Sequence, residues 1–151
     1  MRFIGIDPGQ SGGIVALDTN GIVTHCEKMP GTEGDIGSLL SSIRWESETD
    51  HNFALIEAVH SMPKQGVSSS FKFGQNYGLL RGILIGQQIP FDQVTPQRWQ
   101  KAMGCMTKGD KNVSKAKAQQ LFPGERITHA VADALLIAEY CRRLRTGMLA
   151  A

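Results

Sequence analysis

Two short apolar segments, each ending in a carboxylate, place the strongest constraint on the fold of this chain. Arg2-Phe-Ile-Gly-Ile-Asp7 and Asn52-Phe-Ala-Leu-Ile-Glu57 have the length and composition of buried β-strands. A carboxylate beside apolar surface is costly unless it is solvated, paired or bound to a metal ion. The pattern therefore predicts a sheet with acidic groups at the ends of two strands.

A third acid, Asp133, interrupts an otherwise apolar segment, Ala130-Val-Ala-Asp-Ala-Leu-Leu-Ile137, that is predicted to be helical. No lysine or arginine lies close in sequence to Asp7 or Asp133. In phosphodiester hydrolysis, two divalent ions roughly 4 Å apart can activate a water and stabilise the leaving oxygen. Mg²⁺ prefers oxygen ligands. Asp7, Glu57 and Asp133 are therefore candidate metal ligands, although each alone could be a turn, strand-end or solvent-facing charge.

The length and composition indicate one globular domain. The chain has 151 residues, of which 41% are hydrophobic and 20% charged, as in ordinary soluble domains. No apolar run approaches the ~20 residues needed to cross a bilayer, and the N-terminal sequence is unlike a signal peptide. We therefore expect a cytoplasmic protein with no membrane partner. Cys26, Cys105 and Cys141 are odd in number and widely spaced, which predicts free, partly buried thiols.

Hydrophobic periodicity and turn residues predict three strands, a helix, a strand, a helix, a strand and then helices. Asn20-Gly21 is typical of the hairpin turn after the second strand. Pro96 is typical of a helix start and Thr128 of an N-cap. The predicted strands cover residues 2–7, 12–17, 22–29, 52–57 and 90–94, the predicted helices residues 35–46, 70–87, 111–122 and about 129–145, and the predicted loops residues 61–70 and 105–110.

Charge is unevenly distributed along the chain. Residues 1–60 carry three basic and nine acidic side chains, a net −6, and residues 61–151 carry thirteen basic and five acidic ones, a net +8, giving +2 in total. This asymmetry fits an acidic catalytic centre framed by a basic binding surface, and equally an ordinary surface. Lysines can neutralise DNA phosphates without reading sequence, and solvated helix faces are the alternative. The candidate DNA-binding lysines are Lys101, Lys108, Lys111, Lys115 and Lys117.

Several segments resemble, in order, the signature segments of the RuvC-type Holliday-junction resolvases. They are GIDPGQSGG, LIEAVH, FKFGQNYGLLRG, TPQRWQKAMG and HAVADALLIA. The resemblance implies an α/β, RNase H-like fold over residues 1–151, with a five-stranded mixed sheet flanked by helices on both faces. It also implies a homodimer that nicks four-way DNA junctions with Mg²⁺, for which Mn²⁺ can substitute. The short chain and its EAVHSMPKQG segment are closer to phage or prophage members than to bacterial housekeeping enzymes.

Carried over from this resemblance, Asp7, Glu57 and Asp133 are the catalytic, metal-binding carboxylates. The bacterial enzymes have a further aspartate where this chain has Ala130. His129 is the candidate replacement, as a metal ligand, an acid-base group or a proton relay. A capping or packed histidine is the alternative. Because Ala130 replaces this aspartate, the number of bound metal ions stays open.

The resemblance also ranks the DNA contacts. Lys108 and Lys111 lie on or beside the loop that approaches the scissile strand in this family, which makes them the strongest candidates. The bacterial enzymes have an aromatic residue near the catalytic glutamate that acts as a junction wedge. This chain has no clear counterpart of it, and His60, Met62 or Phe71 could serve.

Three functions remain in competition. The leading one is a structure-selective endonuclease. A non-catalytic junction-binding module is suggested by Ala130. An actin-like or sugar-kinase-like nucleotide-binding domain is suggested by GIDPGQSGGIVALD, which resembles a phosphate-binding hairpin, but such proteins need two domains and this chain has room for one. Glycines at every fourth position of the second predicted helix leave a smooth stripe that permits a dimer: Gly74, Gly78 and Gly82.

Overall fold

A mixed sheet forms the centre of the molecule. The computed structural model describes residues 1–47, 51–58 and 66–149. Its elements are β1 (Arg2–Asp7), β2 (Gly13–Leu17), β3 (Val23–Lys28), α1 (Glu33–Trp45), β4 (Asn52–Glu57), α2 (Val67–Gly86), β5 (Phe91–Val94), α3 (Pro96–Met103), α4 (Lys111–Leu121) and α5 (His129–Arg145). The strand order is β3-β2-β1-β4-β5. β1, β2 and β3 pair antiparallel, whereas β4 is parallel to both β1 and β5.

The predicted element order is confirmed, with three local corrections. α1 begins two residues earlier than predicted because Thr32 caps it, its Oγ1 accepting from the backbone N–H of Asp35 at 3.1 Å. α2 begins at Val67, so the serines predicted as loop form its first turn. Thr128 occupies the N-cap position of α5, but its side chain makes no capping hydrogen bond.

Helices cover both faces of the sheet, as the predicted fold class requires. On one face, Ile4, Ile6 and Ile56 pack with the buried sides of α1 and α2. On the other, Phe3 and Leu55 pack with α3, α4 and the nearly continuous apolar surface of α5. The alternation of side chains along β1 supplies both cores, which explains why this strand lies at the centre of the sheet.

α5 lies unusually close to β1 and β2, and two glycines make this approach possible. A Cβ on Gly5 would collide with the backbone of Ala134 and Ala138. A Cβ on Gly13 would lie 2.7 Å from the carbonyl oxygen of Ala130. The contact fixes the height of α5 above the sheet and therefore the position of Asp133.

The far end of α5 is held by a buried ion-pair cluster. Glu139 is 4% exposed and accepts hydrogen bonds from Arg142 Nε at 2.7 Å and Arg143 Nε at 2.6 Å. Burial raises the pKa of Glu139, but the hydrogen bonds and charges of the two arginines outweigh it and hold the pKa below its usual 4.5. Arg142 also donates to the carbonyl of Thr19, so the cluster ties α5 to the β2–β3 hairpin.

We expect Glu139→Gln to lower the free energy of unfolding by about 2 kcal/mol at neutral pH, because two partly buried arginines lose their counter-ion. A folded-state pKa below the unfolded value gives stability that is present above pH ~4.5 and lost as the pH falls through the lowered value. The melting-temperature gap between native protein and variant should therefore narrow as the pH falls from ~5 to ~3. A gap that is constant over this range would contradict the assignment.

The cysteine prediction is confirmed. Cys26, Cys105 and Cys141 are free thiols, the last two buried, and burial raises the pKa of Cys105 to about 11 and that of Cys141 to about 12. Among the described residues, no helix is both long enough and apolar enough to span a bilayer.

Candidate active site

Asp7 lies at the end of the central strand, where its carboxylate is shielded from water. The residue is 9% exposed. Burial, followed by the negative charges of Glu57 and Asp133, raises the pKa of Asp7 from 3.8 to about 8, while Lys111 opposes the rise. Without a bound cation, Asp7 therefore holds a proton at neutral pH. A carboxyl group in this state is ready to exchange its proton for a metal ion.

Glu57 ends the neighbouring parallel strand, at the same edge of the sheet. Ile6 of β1 is the partner of Ile56 in β4, so the two acids follow at the next position. Burial is the main cause that raises the pKa of Glu57, and Asp133 adds to it. A hydrogen bond from Trp99 Nε1 to Glu57 Oε2, 2.6 Å long, acts in the opposite direction.

Asp133 reaches this edge from α5. Every other residue between Val131 and Cys141 is buried, and Asp133 is half-buried. Its Oδ1 is buried with no hydrogen-bond partner. A buried carboxylate oxygen without a donor costs free energy unless a cation is bound to it. The predicted convergence of the three acids is thus supported by the charges of Glu57 and Asp133, which raise the pKa of Asp7, and by the charge of Asp133, which raises the pKa of Glu57.

The residues present fit a divalent cation, but they do not form a finished coordination shell. Three carboxylates supply the hard oxygen ligands that Mg²⁺ and Mn²⁺ take, and the unpartnered Oδ1 of Asp133 is an oxygen in need of a positive charge. In the part of the chain that the structure describes, no three His, Cys, Asp or Glu side chains are close enough together to hold an ion as they stand.

The lysines differ in their relation to this edge. Lys111, the first residue of α4, is near enough to lower the pKa of both Asp7 and Glu57. Lys108 lies in the preceding loop with a positive φ of 47°. Lys117 acts on the buried thiol of Cys105 instead. Lys101 is exposed and Lys115 half-buried, and no described acid is paired with either.

His129 is the first residue of α5 and is exposed. It is therefore not a packed histidine, and it makes no hydrogen bond with the described residues. Its charge is not among the causes that shift the pKa of Asp7 or Glu57. A role for His129 as ligand or proton relay stays a prediction.

The loop after Asp7 is fixed by α2, a contact that local sequence patterns did not indicate. The backbone N–H of Gly9 donates to Asn76 Oδ1 at 2.8 Å. Gly9 has a φ of +101° and packs against the ring of Phe73. Only glycine adopts this conformation without strain.

Of the three candidates for a junction wedge, only Phe71 lies among the described residues. Phe71 is 66% exposed on the first turns of α2. His60 and Met62 lie outside the described residues.

Comparison with known proteins identifies the fold. No protein-family model and no curated protein matches the chain. Two solved structures of RuvC from Thermus thermophilus match it, both at 20% sequence identity. The one in complex with a Holliday-junction substrate superposes with a TM-score of 0.66, covering 97% of this chain and 96% of that one. The other has a TM-score of 0.65 and covers 97% of both. The chain therefore has the RuvC fold, as the sequence analysis predicted.

Proposed function

We propose that this protein is a divalent-metal-dependent endonuclease that cuts branched DNA, in the manner of a Holliday-junction resolvase. The observation that carries the proposal is the meeting of Asp7, Glu57 and Asp133 at one edge of the sheet, where the charges of Glu57 and Asp133 raise the pKa of Asp7 and the charge of Asp133 raises that of Glu57. The fold supports it, because one of the RuvC structures that this chain matches is in complex with a Holliday-junction substrate. Such an enzyme would act on DNA in the cytoplasm of a bacterium or of a phage-infected cell.

The three acids would hold Mg²⁺ or Mn²⁺ through their carboxylate oxygens. When bound, the ions activate a water and stabilise the leaving oxygen of the phosphodiester. Asp7 must release its proton for the cation to bind, so metal affinity should rise with pH up to about 8. Lys111 stands at the same edge and is placed to contact the phosphate that approaches the carboxylates.

The direct test is cleavage of a four-way junction and of a linear duplex of the same sequence. We expect nicks in the junction with Mg²⁺ or Mn²⁺, none in EDTA, and little cutting of the duplex. The Asp7→Asn protein should bind the junction in a gel shift and leave it uncut. If the native protein leaves junctions intact in both metals, as the variant does, the proposed nuclease activity is wrong.

A non-catalytic junction-binding module is the second candidate, and Ala130 is the observation that favours it. The same gel shift separates the two functions, since a module binds the junction and nicks it in no divalent metal. A match over 97% of the chain to RuvC favours either of these over an actin-like nucleotide-binding domain.

α2 carries an exposed stripe that a second copy of the chain can cover, and we propose a homodimer through it. Gly74, Gly78 and Gly82 have no atom within 4 Å of an added Cβ. Three large apolar side chains continue the same helical face and are exposed by 65–88%: Val67, Phe71 and Ile85. A flat apolar face of this kind on a single molecule is typical of an isologous interface, in which the same patch meets itself.

We expect Gly78→Glu to convert the dimer to monomer in sedimentation equilibrium. The change adds a charge at the centre of the stripe, where two copies would face each other, yet it meets no atom of its own chain. Gly34→Glu on α1 is the matched control, because Gly34 also has open space around it. Dissociation by the Gly34 change, or an unaltered dimer with the Gly78 change, would place the interface elsewhere.

A further inference from the structure

Trp99 is a buried residue with one polar atom, and the fold gives that atom a single partner. The side chain is 0% exposed and lies in the core beneath α5. α3 begins at Pro96, directly after β5, whose Val94 is the register partner of Glu57. This short connection returns the indole to the end of β4, where Nε1 donates to Oε2 of Glu57 at 2.6 Å. Buried indole N–H groups need an acceptor, and here the acceptor is a carboxylate of the candidate metal site.

The hydrogen bond makes the two oxygens of Glu57 different. Oε2 is held by Trp99, whereas no donor in the described part of the chain reaches Oε1. The last torsion of a glutamate is broad, so an unanchored carboxylate rotates easily. A short hydrogen bond to a charged acceptor is among the stronger ones. One held oxygen therefore fixes the plane of the carboxylate and leaves the second oxygen for another partner.

We propose that Trp99 is a positioning residue of the metal site, whose N–H holds Oε2 of Glu57 so that Oε1 is presented to the divalent cation. The inference rests on the proposed function only in taking Glu57 as a metal ligand. Partners that orient a metal ligand typically contribute roughly 10–100-fold to metal affinity or activity. Trp99 touches neither cation nor DNA in this assignment, and it acts through Glu57 alone.

The experiment removes the N–H of Trp99 with two variants, one of which also keeps the volume of the side chain. Trp99→Phe is the simple variant, and replacement of Trp99 by 3-benzothienylalanine, in which sulfur stands in place of N–H, is the isosteric one. Trp45→Phe is the control, because Trp45 is 73% exposed at the end of α1. In calorimetric titrations with Mn²⁺, we expect both changes at position 99 to weaken binding roughly 10-fold or more. The control should bind as the native protein does.

A spectroscopic measurement tests separately whether the bound ion lies close to Trp99. The chain has two tryptophans, so Trp99 is the sole fluorophore of this type in the Trp45→Phe protein. Paramagnetic Mn²⁺ should quench its emission with the same midpoint as the calorimetric titration. Mg²⁺ should compete with this quenching.

The outcomes separate the two proposals. If the isosteric protein folds and binds Mn²⁺ with native affinity, Trp99 is a core residue only and the inference is overturned, whatever the cleavage assay shows. If the isosteric protein binds Mn²⁺ more weakly and the native protein binds it yet cuts no branched DNA, the positioning role stands and the nuclease function fails. A native protein that binds no Mn²⁺ overturns both. Where Trp99→Phe loses stability, the isostere decides.

Discussion

Replacement of Asp7 by asparagine is expected to make the metal-free protein more stable while it abolishes cutting. The pKa of Asp7 is raised to about 8, above its ordinary 3.8, chiefly by burial and then by the charges of Glu57 and Asp133. A folded-state pKa above the unfolded one means that the stability due to this group is full below pH ~4 and is lost as the pH rises through about 8. Asparagine carries no such charge.

At pH 8 in EDTA we therefore expect Asp7→Asn to raise the free energy of unfolding by about 1–3 kcal/mol, or roughly 2–4 °C in melting temperature for each kcal/mol. The gain should shrink towards pH 5. Cleavage of four-way junctions should fall at least about 10³-fold, because the change removes a proposed metal ligand.

Divalent cations provide the control for this prediction. Mg²⁺ or Mn²⁺ should stabilise the native protein by mass action at pH 8 and have little effect on the Asp7→Asn protein. Thermal melts from about pH 5 to pH 9, with and without cation, measure both effects. An Asp7→Asn protein that is less stable than the native protein at pH 8 in EDTA would show that the surroundings of Asp7 do not disfavour its ionised form.

The second large effect is expected at Gly5, where a single methyl group should disrupt the molecule. A Cβ there would collide with the backbone of Ala134 and Ala138, which cannot rotate away as a side chain could. Gly5→Ala should therefore cost at least about 3 kcal/mol of unfolding free energy, at or beyond the usual range for overpacking. The variant should also bind Mn²⁺ more weakly, because α5 must move away from the sheet and Asp133 moves with it.

Gly34→Ala is the matched control for Gly5→Ala. Gly34 lies in α1 with nothing within 4 Å of the added Cβ, so alanine should stabilise the helix by up to ~1 kcal/mol. Urea denaturation of the two variants measures the contrast. A Gly5→Ala protein that unfolds within ~0.5 kcal/mol of the native protein would mean that α5 is free to shift.

Much of the fold could be predicted from the sequence because the signals are local. The bounds of β1 and β4 coincide with the apolar segments that end in Asp7 and Glu57, and the hairpin after β2 occurs where Asn20-Gly21 predicts it. The start of α2 could not be predicted in this way, since serine is only a moderate helix former and is also favoured in turns.

The acids of the candidate site could be predicted from the sequence, whereas the residues that hydrogen-bond to the site could not. Asp7, Glu57 and Asp133 are conspicuous because each stands next to apolar residues. Trp99 is 42 residues from Glu57, and Asn76 is 67 residues from Gly9. No periodicity links residues so far apart, and their pairing follows only from how α2 and α3 pack on the sheet. A lone tryptophan predicts that an acceptor exists, but not which one it is.

The two-sided nature of α2 bears on the shape of the DNA. On one side of this helix, Asn76 accepts a hydrogen bond from Gly9 in the turn that follows Asp7. The other side bears the stripe centred on Gly78. In the proposed two-fold pair, two such helices, each about 10 Å thick, would lie between the two sets of carboxylates. The distance between the two candidate active sites would then be set by helix packing. In that case the DNA arms, rather than the protein, would have to bend to fit this distance.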